Sequence, residues 1–173
     1  LARAGLIPDP AAPRYRTFVV DLRPPLEKIR ASLQQKWRNQ LNASERNGLT
    51  CDTSHSAAAY QTFLDLYAGM LARKQFDSSV DVHEFARLHD RLSDSSKMIL
   101  YTARASDGEA VGSLVCSLVG ETALYVLGAT NERARDLKAA YFLQWHALQD
   151  PKSRGALAYD LGGANPETNS GGH

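Results

Sequence analysis

Apolar residues in this chain follow two different periods, and the change comes near Met98. Before it, spacings of three and four dominate. Leu26, Ile29, Leu33, Trp37 and Leu41 share one face of a helix that opens at Pro24-Pro25 and closes at Asn47-Gly48. Tyr60, Phe63, Leu64, Tyr67 and Leu71 give the cleanest amphipathic pattern, with Ser56 placed to cap it. Val82, Phe85, Leu88 and Leu92 follow behind Asp81 as a shorter helix. After Met98 the period is two. Residues 98–104, 111–119 and 122–129 read as strands separated by Asp107-Gly108 and Gly120-Glu121, which predicts an antiparallel meander. Val111, Val115 and Val119 alternate with Gly112, Leu114, Cys116 and Leu118, so both faces of that strand are expected to be covered.

Four further elements complete the order. Residues 17–22 and 49–53 read as strands in the first half. Leu137, Tyr141, Trp145 and Leu148 mark a last helix, capped by Thr130 or Asn131 and stopped by Asp150-Pro151. A strand over 156–161 closes the series and breaks into Gly162-Gly163 and an Asn165-Pro166 step. The predicted class is α/β (α+β), a mixed, mostly antiparallel sheet flanked by helices. Residues 1–16, with three prolines and no periodicity, read as a linker or the end of a preceding domain, and 17–173 as the domain itself.

Bulk composition narrows the function classes. At 173 residues and 43% hydrophobic content the chain can build a real core. A net charge of +1 gives no bulk argument for nucleic acid, although Arg23 to Arg46 holds six Lys or Arg against two Glu. No apolar run approaches a membrane span, and no signal-peptide pattern opens the chain, which predicts a cytoplasmic protein. Leu1 is not an initiator methionine, so the expectation is a piece of something longer. Cys51 and Cys116 fall inside predicted strands as small buried hydrophobes; their spacing neither suggests a metal nor settles whether they pair. The five histidines show no metal spacing, and no Ser-His-Asp or Cys-His set can be assembled, so no metal site is expected and the catalytic residues stay unknown.

A collinear set of short motifs then points to a family. Thr17 with Asp21-Leu22, Trp37-Arg38-Asn39, Tyr67 with Arg73-Lys74 and Phe76, Leu127-Gly128-Ala129-Thr130, Gln144-Trp145 and Tyr159-Asp160-Leu161-Gly162-Gly163 appear in that order. Together they resemble the second domain of the Fem family, the aminoacyltransferases that build peptidoglycan cross-bridges on a GNAT-like acyltransferase fold. The resemblance implies transfer of an amino acid from aminoacyl-tRNA to the stem peptide of a UDP- or lipid-linked muramyl precursor. It implies no cofactor, no DNA partner, and peripheral contact with a membrane-borne precursor. The family continues into a Phe-Lys pair that this chain lacks, and carries a first domain absent here. The fragment alone is therefore expected to be inert.

The same resemblance nominates substrate-binding residues, each with a plainer alternative. Arg73 and Lys74 either complement the macrodipole at a helix C-terminus or reach a phosphate or carboxylate. Arg38 belongs to a solvated row with Arg30, Gln34 and Asn42, or contacts substrate through the Trp-Arg-Asn match. Tyr125 is either core or part of the cleft wall, and Gly162 and Gly163 either a turn or a substrate-adjacent loop. A coenzyme-A-dependent GNAT enzyme would carry Arg/Gln-x-x-Gly-x-Gly/Ala ahead of the last helix. Here Arg135-x-x-Lys138-x-Ala140 has lysine for the glycine and Asp136 beside it, which disfavours coenzyme A. The alternative function is an N-acyltransferase or a non-catalytic binding domain in exopolysaccharide or lipid metabolism.

Overall fold

The computed structural model describes residues 16–74 and 80–163. The residues preceding 16, Phe76 and the Asn165-Pro166 step lie outside them. The strands are β1 (Thr17–Asp21), β2 (Thr50–Ser54), β3 (Ile99–Arg104), β4 (Ala110–Val119), β5 (Thr122–Thr130) and β6 (Ala158–Gly163). The helices are α1 (Leu26–Ser32), α2 (Gln35–Arg46), α3 (Ala57–Lys74), α4 (Val82–Arg91), α5 (Arg133–Leu137) and α6 (Ala139–Ser153). The strands form one sheet in the order β1-β6-β5-β4-β3-β2. Every neighbouring pair is antiparallel except β5 and β6, so the predicted meander is present with one parallel crossover beside it.

Alternation along β3 divides the core in two. Ile99, Tyr101 and Ala103 join one cluster, which α1, α2 and α6 complete with Ile29, Leu41, Leu143 and Trp145. Met98 and Leu100 join the other, under α3 and α4, with Tyr60, Phe63, Tyr67 and Val82. The expected double coverage of β4 holds from Val111 to Cys116, which are all buried. The predicted caps also hold: Ser56 Oγ accepts the Ala59 N–H at 3.2 Å, and the Asp81 carboxylate accepts those of His83 and Glu84. Both cysteines are free, Cys51 half-buried and Cys116 buried, and loss of water pushes each thiol up to about 12.

Two predicted helices are broken. The first bends at Leu33 and Gln34, both extended (ψ 146° and 143°), so it becomes α1 and α2. Arg38 Nη1 donates to the Ala31 carbonyl at 2.6 Å and to that of Leu33, taking up acceptors left at the end of α1. The apolar stripe keeps its register through the bend, so periodicity alone does not reveal it. The last helix splits at Lys138, which sits at φ 58° between α5 and α6. Pro151 lies inside α6, which runs on to Ser153.

A histidine clasp anchors the start of β3. The Met98 N–H donates to His89 Nδ1 at 3.2 Å, so the ring proton must lie on Nε2, which donates to the His55 carbonyl at 2.9 Å. His55 Nδ1 in turn donates to the Met98 carbonyl at 3.1 Å. Beside this clasp, Tyr60 has the one buried side-chain polar atom without a partner among the described residues, and its phenol is pushed up to about 12.

Candidate functional site at the fork between β5 and β6

Parallel pairing of β5 with β6 extends over three pairs only: Thr122 with Ala158, Ala123 with Tyr159, and Leu124 with Asp160. Beyond them each strand departs from regular geometry for its own reason. In β5, Cys116 pairs with Tyr125 and Val115 with Leu127, leaving Val126 as an extra residue in a β-bulge. The bulge reverses the pleat, so Tyr125 packs on the α6-side cluster while Leu127 and Ala129 belong to the α3-side cluster. In β6, Gly162 adopts φ 78°, a left-handed conformation in which a side chain is strained. A Cβ there would also lie 3.2 Å from the Tyr125 carbonyl oxygen.

Side chains take over where the ladder stops. Asp160 Oδ1 accepts the Gly162 N–H at 2.8 Å, and the Thr17 hydroxyl contacts the same oxygen and donates to the Gly162 carbonyl at 2.7 Å. This local turn ties β6 to the edge strand β1. Tyr159, one residue earlier, points the other way: its hydroxyl donates to Gln144 Oε1 on α6 at 2.8 Å. Asp160 therefore stands on the opposite face of the sheet, the α3 side.

Tyr125 lies along β5 above Gly128. A Cβ at Gly128 would run into the Tyr125 hydroxyl oxygen and come within 2.9 Å of Leu114 Cδ2, so glycine is what leaves room for the ring. Burial pushes the Tyr125 phenol up to about 12.

At the far end of β5, Arg73 Nη2 donates to the Thr130 carbonyl at 3.0 Å, tying the exposed end of α3 to the strand terminus. Thr130 is five residues from Tyr125, roughly 16 Å along a strand. Lys74 is exposed beside Arg73. The turn after Thr130 is clamped to the β3–β4 hairpin: Arg133 Nη1 pairs with Asp107 and Glu109, and Asn131 Nδ2 donates to Glu109 Oε1 at 2.7 Å. Lys138 then makes the left-handed step that precedes α6, half-buried at its N-terminus.

The fork thus brings together Tyr125 and Gly162, with Gly163 beside them on the last pair with Thr17, and places Arg73 and Lys74 at the far end of β5. Arg38 sits on α2, which packs against α6, and its guanidinium holds the bend between α1 and α2. The bulge and the Asp160 turn escaped the sequence reading. Gly128 inside a strand and the Asp160-x-Gly162 spacing were the signals available for them. Among the described residues, no group of three or more His, Cys, Asp or Glu could hold a metal ion.

A family description, acetyltransferase (GNAT) domain, matches residues 27–168. The chain belongs to the GNAT acetyltransferase family. The sheet, its single parallel pair and its flanking helices agree with the GNAT-like fold expected from sequence. No curated protein matches the sequence. Among solved structures this GNAT domain is similar to FemX, with a TM-score of 0.78 at 14% identity, over 90% of this chain and 55% of that one. It is similar to a C-terminal domain assigned to lysylphosphatidylglycerol synthetase in Agrobacterium fabrum (TM-score 0.63, 18% identity, 87% of this chain and 48% of that one). L-PGS from Bacillus licheniformis follows at a TM-score of 0.56 and 18% identity, over 92% of this chain and 49% of that one. At these identities the likeness is one of fold. The GNAT domain spans about half the length of the structures it matches. No helix of its described residues is long and apolar enough to cross a membrane.

Proposed function

We propose that this domain serves an aminoacyltransferase, which moves an amino acid from aminoacyl-tRNA to an amine on the stem peptide of a UDP- or lipid-linked muramyl precursor in the cytoplasm. The observation that carries the reading is the turn at Lys138. A lysine holds the left-handed position where coenzyme-A-dependent members of the fold place glycine, with Asp136 two residues before it. A carboxylate and a bulky side chain beside the phosphate-facing amides favour a donor other than coenzyme A. The fold likeness to FemX over 90% of the chain supports the same reading.

The reaction is aminolysis of an ester. The amine must reach the carbonyl carbon unprotonated, and the oxyanion that forms must meet N–H donors. Tyr125, Gly162 and Gly163 line the fork that receives the reacting groups. Arg73, with guanidinium donors beyond its bond to Thr130, and Lys74 hold the anionic end of the substrate. Arg38 contributes from the α2 side. Likeness to lysylphosphatidylglycerol synthetase structures supports a second reading, in which a lipid headgroup is the acceptor.

Thermal-shift titration of the full-length protein separates these readings. A ligand at ~100 times its dissociation constant adds about 2.7 kcal/mol, or roughly 5–10 °C for a domain of this size. A shift with UDP-muramyl-pentapeptide and none with acetyl-coenzyme A is the expected result. A shift with acetyl-coenzyme A alone overturns the reading, and one with phosphatidylglycerol vesicles alone favours the second.

A further inference from the structure

One carboxylate in the described structure is placed unlike the others. Asp150 and Asp160 are the two acidic residues that are half-buried; every other described Asp or Glu is exposed. Asp150 has a cation partner: its Oδ2 accepts the Tyr101 hydroxyl at 2.7 Å and pairs with Arg154 at 2.9 Å. Asp160 has no cation within ion-pair distance among the described residues. Its Oδ1 is held by the Gly162 N–H and the Thr17 hydroxyl, which fixes the plane of the carboxylate, and its Oδ2 accepts no hydrogen bond there.

Location gives this half-satisfied group its meaning. Asp160 belongs to the last β5–β6 pair, so it stands at the vertex of the fork. It occupies the face opposite Tyr159 and α6, where α3 packs on β3, β4 and β5. Pairing a partly desolvated carboxylate with no cation is unfavourable in the resting fold, and an incoming cation relieves it.

We propose that Asp160 receives the protonated amine of the acceptor and takes its proton. The inference rests on the aminoacyl-transfer reading and supplies the base that reading lacks. The ammonium hydrogen-bonds to Oδ2 and transfers one proton to it, leaving a neutral amine. The amine lone pair attacks the ester carbonyl carbon, forming the C–N bond. The C–O bond to the ribose oxygen then breaks, and that oxygen leaves carrying the second proton of the amine. Asp160 releases the first proton to water, so the balance is ammonium plus ester giving amide, alcohol and one proton. Thr17 and the Gly162 amide are positioning groups, because they touch the carboxylate and not the substrate.

The test uses the full-length protein with aminoacyl-tRNA and UDP-muramyl-pentapeptide, comparing Asp160→Asn with Thr17→Val. Asp160→Asn is expected to lower kcat/KM about 100-fold near neutrality, with the loss recovering about tenfold per pH unit as solvent deprotonates the amine. Thr17→Val removes one of the two bonds that position the carboxylate but keeps the base, so its rate falls less, about three- to tenfold, with the pH profile of the wild type. A folded Asp160→Asn variant with a rate close to wild type overturns the assignment, as does an equal loss in both variants with an unchanged pH profile. If Asp160→Asn does not fold, carbodiimide labelling of Asp160 in the wild-type protein decides, read by peptide mass spectrometry. Protection by Nα-acetyl-Nε-dimethyl-lysine amide, whose tertiary ammonium hydrogen-bonds but cannot couple to the activated carboxyl, and none by the Nε-acetylated form, supports the assignment; equal labelling with and without the amine overturns it. A wild-type protein that transfers nothing from aminoacyl-tRNA sinks the function reading, and the labelling result still decides the role of Asp160.

Discussion

The close approach of Tyr125 to Gly128 yields a sharp structural prediction. A methyl group added at Gly128 would overlap the Tyr125 hydroxyl oxygen and sit 2.9 Å from Leu114 Cδ2. Both are side-chain atoms, so Gly128→Ala forces the ring and the leucine to shift within a packed cluster. Overpacking of this kind costs about 1–3 kcal/mol. Replacing a strand glycine by alanine returns roughly 0.5–1 kcal/mol of backbone entropy. Taking the middle of each range, the net is a loss of about 1 kcal/mol, or roughly 2–4 °C in Tm for a domain of this size. Removing the hydroxyl relieves the closest overlap, so Tyr125→Phe with Gly128→Ala should be less destabilised than the sum of the single changes. Urea unfolding of the four proteins gives a coupling of about 0.5–2 kcal/mol in that direction. A Gly128→Ala protein as stable as the parent, or a cycle with no coupling, would refute the geometry assigned to the fork wall.

Two further predictions concern the other face of the site and its supports. Lys138→Gly relieves a left-handed residue worth about 1–2 kcal/mol against about 0.4–1 kcal/mol of added unfolded-state entropy. A Tm rise of roughly 1–4 °C is expected, with Lys138→Ala near neutral; a fall for the glycine variant contradicts the φ of 58°. Glu45 is held below the ordinary carboxylate range, first by hydrogen bonds from the Arg30 guanidinium. A depressed carboxylate contributes stability above its unfolded pKa and loses it as pH falls through the folded one. Arg30→Gln should therefore be less stable than the parent at pH 7 by urea unfolding, and the difference should shrink well below pH 4.5; a gap independent of pH assigns the effect to the packing of Arg30 over Trp145 instead.

Much of the fold was legible because its signals are local. The caps at Ser56 and Asp81, the three-stranded meander and the amphipathic face of α3 each depend on a few neighbouring residues, and each formed as expected. The breaks were not legible for the opposite reason. The bend at Leu33 is stabilised by Arg38 reaching back to carbonyls the bend itself exposes, and the stripe from Leu26 to Leu41 reads the same with or without it. Lys138 is a good helix former placed in a left-handed turn, so local propensity pointed the wrong way, and the tie beside it from Asn47 Nδ2 to the Leu137 carbonyl, at 3.0 Å, spans ninety positions of sequence. Pro151 stays within α6 although proline usually ends a helix.

The candidate site is the place where regular pairing is withheld. A parallel pair prolonged past Leu124 and Asp160 would consume the edge groups of both strands, and nothing could enter between them. Three unrelated residues prevent that. Val126 adds the extra residue that turns β5, Gly162 turns β6 away, and Asp160 takes the amide that would otherwise seek a carbonyl on β5. Each is unremarkable in sequence, and they become a site only because the crossover through α5 and α6 lays β6 parallel to β5 at that register. The bulge and the glycine satisfy themselves once formed. The carboxylate does not, since its second oxygen meets no cation among the described residues, and that asymmetry is why we propose the base at Asp160 rather than a role for the more conspicuous glycines beside it.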